Sequence, residues 1–92
     1  MPKKVTYNIR MKDGTMKPVA GMQLRPGLNY HKDPDTGLYF LDSEKTGAYI
    51  ASATKLKELK ELIQEPEFFE EPLTVRNILE AVIRWTKKKF KP

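Results

Sequence analysis

From Val5 to Lys12 apolar and polar side chains alternate without a break. Val5, Tyr7, Ile9 and Met11 fall on one side, and Thr6, Asn8, Arg10 and Lys12 on the other. A period of two is that of a half-buried strand with one wet face. Asp13-Gly14 ends it with a pair suited to the positive φ angles of a tight hairpin turn. The return is less defined. Thr15–Lys17 and residues 19–25 have extended character with Met22 and Leu24 inward, but Pro18 lacks an amide donor, so residues 15–25 stay open between strand and loop.

Beyond that point glycines fall at 27, 37 and 47, and each opens a stretch carrying an aromatic: Leu28-Asn29-Tyr30, Leu38-Tyr39-Phe40 and Ala48-Tyr49-Ile50. Short β-prone runs at regular spacing, each preceded by turn chemistry, predict consecutive antiparallel strands. The strands are expected at Leu28–Lys32, Leu38–Asp42 and Ala48–Ala53. Simple hairpin registers would set Tyr30 opposite Phe40 and Phe40 opposite Ile50. Leu28, Tyr30, Leu38, Phe40 and Ile50 would then face inward, while His31, Tyr39, Leu41 and Tyr49 faced outward.

After residue 53 the period becomes helical. Leu56, Leu59, Leu62 and Ile63 form one stripe, with Thr54 as the expected N-cap and Pro66 as the stop. Pro66–Pro72 is a compact connector in which Phe68 and Phe69 are expected as core plugs. Thr74 caps a second helix, with Leu73 and Ile78 placed for a hydrophobic staple. Its apolar face is read as Val75, Ile78, Leu79, Val82, Ile83 and Trp85. The predicted architecture is α+β in a single domain spanning residues 1–92. An antiparallel meander of three to five strands (residues 4–53) packs on two helices (54–64 and 74–90), and a small barrel closed by the long first strand is the alternative.

Composition narrows the class. Ninety-two residues with 39% apolar side chains support one core but no thick-walled cavity. Cysteine is absent, which excludes disulfides and thiolate metal sites. No segment approaches the roughly 18 apolar residues that span a bilayer, and the first residues lack a signal-peptide pattern. A soluble, cytoplasmic protein without a membrane partner is expected. The net charge of +5 is unevenly spread: +4 over residues 1–41, −4 over 42–73 and +5 over 74–92. Such blocks steer anionic partners.

The candidate chemistry follows from that charge. Arg76, Arg84, Lys87, Lys88, Lys89 and Lys91, with Trp85 and Phe90 interleaved, could track a phosphate backbone. The same residues also describe a solvated face whose cations complement a helix dipole. On the sheet, Tyr39 and Tyr49 would stand beside His31 and Lys32 as a stacking platform, although tyrosine is also simply a good strand former. Asp33-Pro34-Asp35-Thr36-Gly37 reads as turn chemistry rather than a calcium loop, because the ligands are too few and the glycine comes too early. His31 is the sole histidine and lacks a placed nucleophile. No catalytic residue, metal ligand or cofactor is assigned. The expected function is a small non-enzymatic accessory or regulatory protein. It would bind nucleic acid through Arg76, Arg84, Lys87, Lys88 and Lys91, with Tyr39 or Tyr49 stacking. The alternative is a protein-interaction module or inhibitor that uses the tyrosine face or a sheet edge. The acidic belt, from Asp42 and Glu44 through Glu58, Glu61, Glu65, Glu67, Glu70 and Glu71, is expected to be solvated or to pair with the basic helix. Pairing would weaken the nucleic-acid reading. Oligomeric state is not legible.

Overall fold

The computed structural model describes residues 3–89. Five antiparallel strands form one sheet in chain order: β1 (Lys3–Arg10), β2 (Met16–Arg25), β3 (Leu28–Lys32), β4 (Tyr39–Ser43) and β5 (Tyr49–Ala53). Two helices follow, α1 (Leu56–Leu62) and α2 (Val75–Lys89), separated by a 3-10 turn at Pro66–Phe69. This is the α+β meander that the periodicities predict. Residues 15–25, open in the sequence, are largely strand. Pro18 pairs opposite Asn8 and is tolerated because β3 joins β2 only further along, from Met22 to Arg25.

The registers differ from the simple hairpins, by one residue between β3 and β4 and by two at Phe40 between β4 and β5. Tyr30 lies opposite Leu41, His31 opposite Phe40, and Phe40 opposite Ser52. The cause is local. The Asp33 amide donates to the Leu38 carbonyl and the Gly37 amide to the Asp33 carbonyl, so Leu38 closes the loop and the strand starts at Tyr39. Since alternate residues point to opposite sides, one step exchanges faces. Leu28, Tyr30, Tyr39 and Leu41 therefore share the helix-covered face, whereas His31, Phe40 and Asp42 occupy the other. A bulge between Leu41 and Asp42 brings Tyr49 opposite Asp42.

The core lies between the helices and that first face. Leu28, Leu41, Ala51 and Ala53 meet Leu59, Leu62, Ile63, Phe68, Ala81 and Trp85. Each large apolar side chain so buried contributes about 1.5–3 kcal/mol. In α1, Lys55 and not Thr54 takes the N-cap position, and it makes no side-chain cap bond. In α2 the Asn77 amide donates to Thr74 Oγ1 at 3.1 Å, as the sequence signals. Phe68 is buried, but Phe69 is exposed, with the Arg25 guanidinium 4.2 Å from its ring centroid. Arg25 also donates to the Ile63 carbonyl at 3.0 Å and the Phe68 carbonyl at 3.2 Å, tying β2 to the end of α1 and to the 3-10 turn. The apolar face of α2 is narrower than its sequence suggests. Ala81 and Trp85 are buried and Ile78 and Val82 flank them, but Val75, Leu79 and Ile83 are exposed. No helix among the described residues is long and apolar enough to cross a membrane.

Candidate nucleic-acid interface

The helix-free face is bent. The Arg10 amide at the end of β1 donates to the Gly47 carbonyl in the β4–β5 loop at 3.0 Å, so the first hairpin curls over toward the far edge of the sheet. The curl brings Tyr7 of β1 onto His31 of β3 and Asp42 of β4. The Tyr7 hydroxyl donates to Asp42 Oδ2 at 2.7 Å, and His31 Nδ1 lies 2.7 Å from the same oxygen. An ionised carboxylate only accepts, so with Asp42 charged both Tyr7 O–H and His31 Nδ1–H donate to it. Burial pushes the Asp42 carboxyl up from its ordinary range, against the opposing pull of Tyr7 and His31. Burial, reinforced by the hydrogen bond to Asp42, pushes the Tyr7 phenol up as well. Asn29, next to this cluster in the sheet, is 1% exposed, and neither its Nδ2 nor its Oδ1 has a partner among the described residues.

Around the cluster lies a cleft of about 510 Å³, lined by residues of all five strands and of the β3–β4 and β4–β5 loops. Phe40 stacks on His31, with centroids 5.4 Å apart at 20°, and Tyr49 meets Phe40 edge-on at 5.9 Å. Tyr49 is 58% exposed. Arg10, Lys17 and Lys32 line the mouth together with Asp33 and Asp35. The Asp33 carboxylate is turned onto its own loop, accepting from Thr36 Oγ1 at 2.7 Å, and that bond holds its pKa below the usual range.

The residues singled out in the sequence are scattered. Tyr39 and Tyr49 lie on opposite faces of the sheet, so the shared platform does not exist. Tyr39 packs half-buried beside Tyr30, with the Lys32 ammonium 5.6 Å from its ring centroid. Most of the cations on α2 are paired. Arg84 reaches Glu67 at 2.6 Å and Glu65 at 3.6 Å, Lys88 reaches Glu65 at 2.8 Å, Lys89 reaches Glu58 at 2.7 Å, and Arg76 reaches Glu80 at 3.3 Å. The hydrogen bond from Arg84 to Glu67 pushes the Arg84 pKa up, and the one from Lys89 lowers that of Glu58. Trp85 is a core residue with Lys89 over its ring. Lys87 is exposed and makes no ion pair among the described residues. Lys91 and Phe90 lie outside the described residues.

The cations of the first hairpin and of β3 are arranged differently. Lys4, Arg10, Lys12, Lys17 and Lys32 are all exposed, and among the described residues no carboxylate pairs with any of them. The sequence holds these charges in plain view, but a helix carrying a run of lysines is the stronger pattern and it draws attention away. The Tyr7–His31–Asp42 cluster has no local signal at all, because its members are up to 35 positions apart. Comparison with protein-family profiles, with curated proteins and with solved structures returned no match.

Proposed function

We propose that this protein is a non-enzymatic nucleic-acid-binding module of accessory or regulatory type. Its phosphate contacts come chiefly from the first hairpin and β3, through Arg10, Lys12, Lys17 and Lys32, with Lys87 contributing from α2. The supporting observation is the segregation of partners: the cations of the first hairpin and of β3 have no carboxylates among the described residues, whereas Arg84 and Lys88 are held on Glu65 and Glu67. Glu65 is only 6% exposed, so drawing its cations away to a phosphate would leave a buried charge uncompensated. Exposed ion pairs such as Arg76–Glu80 are worth about 0–1 kcal/mol, so Arg76 stays available to a polyanion.

The test is fluorescence anisotropy with a labelled oligonucleotide across about 50–200 mM salt. Lys12→Ala with Lys17→Ala should reduce the slope of log K against log salt by about 0.7–0.9 for each phosphate no longer neutralised, and Arg84→Ala with Lys88→Ala should leave it unchanged. Absence of binding at low salt would remove the reading. The second reading, a protein-interaction module, is favoured by the exposed apolar row Val75, Leu79 and Ile83 together with exposed Tyr49. It predicts a complex that survives moderate salt and is weakened by Leu79→Asp.

A further inference from the structure

The cleft on the helix-free face has three chemically distinct parts. One wall is a run of rings, His31 under Phe40 and Phe40 against Tyr49, whose outermost member is open to solvent. Its inner end is His31. Nδ1 is fixed by Asp42, while Nε2 has no partner among the described residues and the residue as a whole is 8% exposed. Its mouth carries Arg10, Lys17 and Lys32, none of them ion-paired among the described residues, together with Asp33 and Asp35. The volume, about 510 Å³, falls within the roughly 300–1,000 Å³ typical of clefts that hold small molecules. A ring wall, one hydrogen-bonding edge and a rim in which three cations outnumber two carboxylates, one of them turned onto its own loop, match a planar heterocycle that carries a phosphate.

We propose that the cleft takes one unpaired nucleotide of a single strand. The base lies against Tyr49 and Phe40 with its edge toward His31, and the adjoining phosphate meets Lys17, which shares the Tyr7–Ile9 side of the first hairpin. This rests on the nucleic-acid reading above and adds a preference to it. A base inside a duplex has both faces covered by its neighbours and cannot enter such a cleft, whereas a single strand can offer one base at a time.

The experiment compares single-stranded and duplex oligonucleotides of one sequence at fixed salt, with the native chain, Tyr49→Ala and Tyr49→Phe. Tyr49 is exposed, so removing its ring leaves the core intact, and a thermal melt checks this. Tyr49→Ala should weaken single-strand binding on the order of ten- to a hundredfold, leave duplex binding within about twofold, and be rescued by Tyr49→Phe. A nucleoside monophosphate should shift the NMR signals of Tyr49 and His31. Equal loss for both oligonucleotides, or no loss while Lys12→Ala with Lys17→Ala still flattens the salt slope, would overturn the inference and spare the broader reading. Failure of either oligonucleotide to bind at low salt would remove both. Displacement of the strand by a polyglutamate peptide as effectively as by the nucleotide would reassign the cleft to acidic peptides.

Discussion

Replacing Gly47 with alanine tests how the curled sheet is held. Gly47 has φ +72° and accepts the Arg10 amide, and a Cβ there would run into the carbonyl oxygen of Asn8 and lie 3.0 Å from Met16 Cε. The methionine end can swing away, but the β1 backbone cannot. Gly37 is the control, because it has φ +75° and nothing within 4 Å of a Cβ. An L-residue in the left-handed region costs about 1–2 kcal/mol at either site. Forcing β1 off the loop adds overpacking of about 1–3 kcal/mol at Gly47 alone. For a domain of this size 1 kcal/mol shifts the melting temperature by about 4–8 °C. Gly47→Ala should therefore melt at least about 4 °C below Gly37→Ala when both are followed by circular dichroism. Gly47 also lines the cleft with Tyr49, so Gly47→Ala should lose single-strand binding that Gly37→Ala retains. Equal melting temperatures would show that β1 does not bear on the β4–β5 loop, and the account of the cleft would fail with it.

Burial raises the Asp42 pKa in the folded state, so its protonation favours the fold. That contribution is complete below the unfolded value near 3.9 and is lost as pH rises through the folded value. The stability cost of Asp42→Asn, measured by urea unfolding, should accordingly shrink as pH is raised from about 3 to 7, and a constant cost would refute the assignment. Arg84→Ala with Lys88→Ala strands the nearly buried Glu65. Because the two side chains are 47% and 66% exposed, the expected destabilisation falls well short of the about 3–5 kcal/mol of a broken buried pair, and adding Glu65→Gln should recover part of it.

What the sequence carries is what neighbours in the chain decide. The alternation from Val5 to Ile9, the glycine beat and the Thr74 cap each act over a few residues and are found where the pattern puts them, although β1 ends at Arg10 and Met11 is exposed. The faces of the meander invert because of one residue: Leu38 looks like strand, yet its carbonyl closes the Asp33 loop. Phe69 departs from its expected place because two adjacent phenylalanines in a 3-10 turn cannot both point inward, and Arg25 draws the second outward. Val75, Leu79 and Ile83 look buried by period alone, but α2 packs against the 3-10 turn, α1 and β5 only through the arc centred on Ala81 and Trp85. The ion pairs from α2 to Glu58, Glu65 and Glu67 join residues 17 to 31 positions apart. Sequence reasoning can name both charge blocks without matching their members.

The helices rest mainly on β4 and β5, and β2 meets β3 only from Met22 to Arg25, across a bulge. The molecule is thus built like a hand-held clamp. One limb is anchored by the oily interior and bears His31, Phe40 and Asp42, and the other is a cantilever bearing Arg10 and Lys17. The short seam, the Arg10–Gly47 latch and the buried Tyr7–Asp42 bond hold the cantilever over the anchored limb, so the gap between the limbs is set by a few polar contacts rather than by the oily interior.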